Sequence, residues 1–140
     1  MTEPTDYLVP EFTQQQIGQI SILGLAYIGD CVFEMLVRTY LLTEGHTAAL
    51  DLHRTTVEYV NAPAQHAFYE RICSLLTEEE TAVYKRGRNA KVNSVPHNAS
   101  AAEYHSATGL EALFGWLFLK NSRERINQLF AAGMEITHGN

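Results

Sequence analysis

Two carboxylates stand out because each one lies inside a run of apolar residues. Asp30 lies in LGLAYIGDCVFEMLVRTYLL, residues 23–42, and Glu111 lies in ATGLEALFGWLFL, residues 107–119. Burying an ionised carboxylate is costly unless a cation, a metal or strong hydrogen bonds compensate it. Two acids brought close together also repel each other unless a proton or a metal lies between them. Mg²⁺ prefers oxygen ligands and keeps several waters, so the two acids are a candidate magnesium site.

Each carboxylate also has a purely structural interpretation. Asp30 could be paired inside the core, with Arg38 or Arg54 as its partner, and Glu111 has the same two interpretations. Glu34 lies one helical turn after Asp30, so it could support the site from the second shell or simply form an i,i+4 pair with Arg38. Two separate apolar runs each contain such a carboxylate, and we therefore favour the metal site for Asp30 and Glu111. Both interpretations of Glu34 stay open.

A basic cluster is the second candidate for binding chemistry. The segment KRGRNAK, residues 85–91, holds four of the ten Lys and Arg residues. Basic helix ends are often only solvated surface, but polar residues follow this one closely. Gly87 together with Asn89, Asn93, Ser94, His97 and Asn98 would offer flexible donors for phosphates and ribose hydroxyls. The predicted RNA contacts are Lys85, Arg86, Arg88, Asn89 and Lys91.

The two apolar runs predict two helices in the middle of a domain, because both are apolar on nearly every side. The first is expected over about residues 21–44, with Gly45 as its stop. Small residues would let the two helices cross closely and bring Asp30 beside Glu111. These small residues are Gly29, Ala107, Gly109, Ala112 and Gly115.

Capping signals divide the rest of the chain into further helices. The predicted start signals, in chain order, are Thr13, Thr47, Asn61, Thr77, Ser100 and Ser122. The helices after Thr47 and Ser122 are expected to end near residues 60 and 136, and residues 91–99 are expected to be a loop. Strand-type alternation is absent. The predicted fold class is therefore all-α with six or seven helices, as a single domain over residues 13–140 behind a poorly ordered leader over residues 1–12.

Composition narrows the class of protein. The 140 residues are 46% hydrophobic and 19% charged, which suits one domain with a real core rather than a disordered chain. A formal net charge of −6 argues against bulk non-specific nucleic-acid binding, although local basic clusters matter more for phosphate contacts. No basic signal region or membrane span is expected, so we expect a cytoplasmic protein that contacts no membrane. Cys31 and Cys73 are predicted to be buried thiols rather than a disulfide.

Three segments together resemble a known family. LGLAYIGDCVFE resembles the signature helix of ribonuclease III, in which a Leu-Gly-Asp-like core carries the catalytic aspartate. LEALFGWLFL resembles that family's second motif, and KRGRNAK followed by a proline-containing loop resembles its short subfamily, Mini-ribonuclease III. The resemblance extends over about residues 20–130, and the order of the three motifs makes it specific.

The resemblance implies a fold, an activity and partners. The fold would be the all-α ribonuclease III endonuclease domain, working as a homodimer that cuts double-stranded RNA with Mg²⁺. Asp30 and Glu111 would be the catalytic residues and the metal ligands. The subfamily's typical substrate is precursor large-subunit (23S) ribosomal RNA. No double-stranded-RNA-binding domain follows the nuclease domain in this sequence, so we expect a ribosomal protein or a particular RNA shape to add affinity.

Three departures from the family pattern keep an alternative open. The larger enzymes carry acids seven and four residues before the catalytic aspartate, where this chain has Leu23 and Ala26. They carry Asp or Asn three residues before the second-motif glutamate, where Thr108 becomes a second-shell candidate. These losses favour a catalytically inert ribonuclease III-like RNA-binding or ribosome-associated protein. Retention of Asp30 and Glu111 favours an active enzyme, and a helical interaction module with structural acids is the third interpretation.

Overall fold

The computed structural model describes residues 5–91 and 100–136, which are all helix, turn or loop. The helices are α1 (Gln14–Gly18), α2 (Ile22–Thr43), α3 (Ala49–Tyr59), α4 (Ala62–Ile72), α5 (Glu78–Arg88), α6 (Ala101–Leu119) and α7 (Arg123–Gly133). A 3₁₀ turn, Cys73–Leu75, follows α4 directly. The all-α prediction is confirmed for the described residues. The polar residues predicted in the loop at Asn93, Ser94, His97 and Asn98 lie outside them.

Most helix starts follow from local capping chemistry. Thr13, Thr77 and Ser100 each accept a backbone hydrogen bond within a full capping box, and Asn61 accepts one from the Ala64 amide at 2.9 Å. These side chains satisfy amide groups that the first helical turn leaves without partners, as predicted.

Two of the predicted helix boundaries are wrong. Thr47 is the predicted N-cap of α3, but the N-cap is Ala48, whose side chain makes no capping hydrogen bond. The last helix begins after Ser122 as expected but ends at Gly133, three residues before the predicted end at 136.

The central element is α6, against which α2, α5 and α4 pack. Its apolar residues face neighbours on almost every side, which confirms the prediction made from its sequence. Between these helices the rings of Phe33, Phe68 and Phe114 meet edge to face, with centroids 5.0 Å and 5.6 Å from Phe33. Interlocked aromatic rings of this kind add about 0.5–1.5 kcal/mol per pair beyond the area that they bury. The core therefore gives the crossing helices a fixed relative position.

The crossing of α2 and α6 depends on two glycines. A Cβ atom at Gly29 would overlap the carbonyl oxygen of Glu111, and one at Gly115 would overlap the carbonyl oxygen of Leu25. Any other residue at either position would force the two backbones apart. The close crossing predicted from the small residues is thus present, and it places the residue after Gly29 against the turn that carries Glu111.

The outer side of α2 contradicts the prediction that this helix is buried all round. Leu23, Tyr27 and Met35 are 41%, 81% and 49% exposed, whereas Ala26 and Val37 are buried. The sequence could not reveal this, because only the fold decides which side of α2 packs against α6 and which side stays exposed. Cys31 and Cys73 are likewise exposed free thiols, so the expectation of buried thiols is wrong.

Helix α5 packs its C-terminal half against α6 through another glycine contact. A Cβ at Gly87 would lie 2.8 Å from the Ala112 Cβ and 3.1 Å from the Thr108 carbonyl oxygen. Gly87 is therefore a buried packing residue inside a helix, which corrects its predicted place among flexible loop donors.

The residues before α1 contact the helical body. The Phe12 amide donates a hydrogen bond to the Leu119 carbonyl at 2.8 Å, and Pro10 is buried. Residues 1–4 lie outside the described part of the chain, and the division into a leader and one domain stays a prediction. Within the described ranges, no helix combines the length and the apolar character that crossing a bilayer would require.

Candidate active site

The structure brings Asp30 and Glu111 together, as the sequence predicts. Asp30 follows the glycine at the crossing and lies on the exposed side of α2, while Glu111 lies on the inner side of α6. The pKa of Glu111 is raised from 4.5 to about 8. Burial is the main cause, and the negative charge of Asp30 and a hydrogen bond shared with Asp30 add to it. Without a cation, Glu111 therefore keeps its proton at neutral pH.

A third side chain at this site was not predicted. Gln65 of α4 is 5% exposed, and its side-chain amide donates a hydrogen bond to Glu111 Oε2 at 3.4 Å. This bond favours the ionised carboxylate and so lowers the pKa of Glu111. The sequence holds one weak signal for Gln65, because its spacing to Phe68 and Ile72 places a polar residue on the buried stripe of α4.

The two acids are compatible with Mg²⁺ and not with a richer metal cluster. Among the described residues, no three His, Cys, Asp or Glu side chains form a group that could hold a metal. A site with two carboxylates, one of them exposed, suits a cation that keeps most of its waters, which is the habit of Mg²⁺. The donor set therefore fits the predicted metal.

The two predicted second-shell residues make other contacts in this structure. Glu34 is paired with Arg38 at 2.6 Å, which is the structural alternative that the sequence left open. Thr108 is buried, and its hydroxyl donates to the Tyr104 carbonyl at 3.1 Å within α6. A supporting role for either residue at the metal stays a prediction.

A buried polar network next to the site ties α4, α5 and α6 together. The Ser106 hydroxyl lies 2.8 Å from His66 Nδ1 and 2.9 Å from the Tyr84 hydroxyl. The rings of Tyr69 and Tyr84 stack with centroids 3.7 Å apart. Sequence reasoning missed this network, because each of its residues is unremarkable by itself and only the fold brings them together.

The predicted RNA-binding residues form one basic end of α5. Lys85, Arg86, Asn89 and Lys91 are exposed, and Arg88 is partly buried. The Arg88 guanidinium lies 5.7 Å from the centre of the Tyr84 ring, and its Nε donates to Asn89 Oδ1 at 3.2 Å. The Gly87 contact places this basic turn against the Thr108–Ala112 turn of α6, which also carries Glu111.

Comparison with known proteins shows the family of this chain. The family model for the ribonuclease III domain matches residues 23–122. The chain belongs to the ribonuclease III family. It is 43% identical over 124 residues to Mini-ribonuclease 3 of Clostridium tetani, covering 88% of this chain and 82% of that protein. It is 42% identical over 113 residues to Mini-ribonuclease 3 of Enterococcus faecalis, covering 79% and 86%.

A solved structure gives the same result for the ribonuclease III fold. The crystal structure of a protein from Fusobacterium nucleatum superposes with a TM-score of 0.77 at 31% identity, covering 85% of this chain and 95% of that one. The predicted resemblance and fold are confirmed. As a member of this family of double-stranded-RNA nucleases, the chain is an endoribonuclease.

Proposed function

We propose that this endoribonuclease cuts double-stranded RNA with Mg²⁺ held by Asp30 and Glu111, and that it works in the cytoplasm as a homodimer. We propose further that its substrate is precursor 23S ribosomal RNA, presented with the help of a ribosomal protein. The observation that carries the metal-dependent activity is the pair of apposed carboxylates at the glycine crossing of α2 and α6. The choice of substrate is supported by the likeness to the Mini-ribonuclease 3 proteins.

The acids have separate tasks because their surroundings differ. Asp30 is exposed, so its carboxylate would hold the cation where RNA can reach it. Glu111 would hold the cation together with Asp30, and it would have to lose its proton to do so. When bound, Mg²⁺ supplies an activated water and stabilises the negative charge that develops on the phosphodiester.

The basic end of α5 is proposed to bind the RNA backbone. Lys and Arg side chains neutralise the charge of phosphates. A-form RNA is recognised mainly by its shape and its 2′-hydroxyls, so a basic cluster without aromatic residues is suited to binding it. Lys85, Arg86, Arg88, Asn89 and Lys91 would hold one stretch of backbone while the acids act on another. The packing of Gly87 on the turn that carries Glu111 supports this assignment.

The exposed side of α2 supports the homodimer. Leu23, Tyr27 and Met35 present apolar surface on the same helix as Asp30, and isolated chains rarely expose such a stripe without a partner. A second copy of the same surface would cover the stripe by two-fold symmetry. Two acid pairs would then lie on one assembly, one for each strand of the duplex.

The test is cleavage of a long RNA duplex with Mg²⁺, with EDTA and Asp30→Asn as the negative conditions. We expect cleavage to disappear in both, because EDTA removes the cation and Asp30→Asn removes one of its two carboxylate ligands. Asp51→Asn is the matched control, since Asp51 is exposed on α3 and is paired with His46 at 2.7 Å. If folded wild-type protein left both the duplex and precursor 23S ribosomal RNA intact, the inert RNA-binding alternative would replace this proposal.

A further inference from the structure

We propose that Gln65 is a positioning residue that fixes the Glu111 carboxylate in the orientation needed to hold Mg²⁺. This inference rests on the proposed function, because it concerns the same pair of acids. Gln65 would act through Glu111 rather than on the RNA.

The contact between the two side chains is selective. The Gln65 amide donates to Oε2 of Glu111 at 3.4 Å, so it contacts one of the two carboxylate oxygens. None of the ion pairs within residues 5–91 and 100–136 involves Asp30 or Glu111. The amide is therefore the partner that holds one oxygen of a largely buried carboxylate in place.

The chemical type of this donor matters. A Lys or Arg at the same place would compensate the acids with its own positive charge and would compete with a metal. A neutral amide orients the carboxylate and leaves its charge available. The bond is long for an amide donor, and it can shorten when the carboxylate is ionised, because charged acceptors hold donors more closely.

Residues before and after Gln65 hold α4 in place. The Asn61 side chain caps the start of α4 through the Ala64 amide at 2.9 Å. The next residue, His66, contacts the Ser106 hydroxyl of α6 at 2.8 Å, and Phe68 lies in the aromatic core. Gln65 and His66 are successive residues of α4, and they contact Glu111 and Ser106 of α6. The contact of His66 therefore helps to fix the position of the Gln65 amide relative to Glu111.

The test compares Gln65→Met with Gln15→Met in Mg²⁺ binding, measured by calorimetry on the full chain without RNA. Methionine keeps the length of glutamine but cannot donate, and Gln15 is exposed on α1, a helix that carries neither acid. We expect the dissociation constant for Mg²⁺ to rise about 10–100-fold in Gln65→Met, the usual effect of removing a partner of a metal ligand. It should stay unchanged in Gln15→Met.

A second readout separates positioning from general damage to the fold. The Mg²⁺ concentration for half-maximal cleavage should rise by the same factor in Gln65→Met, while KM for RNA at saturating Mg²⁺ stays at the wild-type value. If the methionine variant is unfolded by circular dichroism, Gln65→Asn takes its place, because it keeps a buried amide but withdraws it by one methylene.

The outcomes distinguish this inference from the proposed function. If the wild type binds Mg²⁺, Asp30→Asn does not, and the folded Gln65 variant binds like the wild type, the inference on Gln65 is wrong and the metal site stands. If the wild type itself binds no Mg²⁺, both proposals are overturned.

Discussion

Replacing Glu111 by glutamine should stabilise the metal-free protein at alkaline pH. The pKa of Glu111 is raised to about 8 in the fold, mainly by burial and next by the charge of Asp30. The folded state therefore holds a proton that the unfolded chain releases above about pH 4.5. Between these two values the free energy of unfolding falls as pH rises, because the unfolded chain ionises this acid while the fold must keep it protonated. Glutamine resembles the protonated acid and avoids that cost.

The size of the effect follows from the pKa. A shift from 4.5 to about 8 corresponds to at most about 5 kcal/mol at 1.36 kcal/mol per unit. Relaxation around the ionised group and the partial exposure of the site reduce this, and we expect about 2–4 kcal/mol at pH 9. For a domain of this size, that is a rise in Tm of roughly 8–15 °C. At pH 4.5 and below, the wild type and Glu111→Gln should differ little.

Thermal unfolding in EDTA at pH 4.5, 7 and 9 measures this directly. Glu34→Gln is the matched control, because Glu34 is another acid on α2 near Asp30 but is paired with Arg38. Its removal should change Tm only slightly at each pH. Adding Mg²⁺ at pH 9 should raise the Tm of the wild type and leave that of Glu111→Gln unchanged. A Tm difference between the wild type and Glu111→Gln that is the same at all three pH values would refute the reasoning.

Three further predictions concern RNA binding, the helix crossing and the dimer. Arg86→Ala combined with Arg88→Ala should weaken duplex binding and reduce the slope of log K against log salt by up to about 2, in titrations at several salt concentrations. Gly29→Ala should destabilise the fold by about 3 kcal/mol or more in urea unfolding and abolish Mg²⁺ binding, because its Cβ overlaps the Glu111 carbonyl. Tyr27→Ser should shift the protein from dimer to monomer in light scattering, because Tyr27 is 81% exposed in the isolated chain.

Each of these has a control of the same residue type. Arg123→Ala removes an exposed arginine of α7 and should keep duplex affinity. A Cβ at Gly18 would meet nothing within 4 Å, so Gly18→Ala should fold normally. Tyr7 is 85% exposed in the segment before α1, so Tyr7→Ser should leave the dimer intact. Unchanged affinity in the arginine pair, a stable Gly29→Ala that binds Mg²⁺, or a dimeric Tyr27→Ser would each contradict the corresponding argument.

The features that the sequence predicted are those determined by hydrogen bonds within one helical turn or by glycine residues. Thr77 and Ser100 mark helix starts because a hydroxyl and a glutamate three residues later satisfy amides of the same turn. Gly29 and Gly115 indicated a close crossing because only residues without a Cβ permit it. Such signals need no knowledge of the rest of the fold.

The features that the sequence did not predict depend on which elements become neighbours. The outer side of α2 carries the same apolar residue types as its inner side, so periodicity could not show that Tyr27 is exposed while Val37 is buried. Gln65 approaches Glu111 across 46 residues of sequence, and its type alone does not identify its partner.

The contact between Gly29 and the Glu111 backbone also bears on how activity can be lost during evolution. A single added methyl group at Gly29 would separate the acids while leaving Asp30 and Glu111 in the sequence. A descendant can therefore lose catalytic activity although its sequence still contains both carboxylates. To decide whether a ribonuclease III-like relative is an enzyme or an inert binder, the glycines at this crossing should be inspected together with the carboxylates.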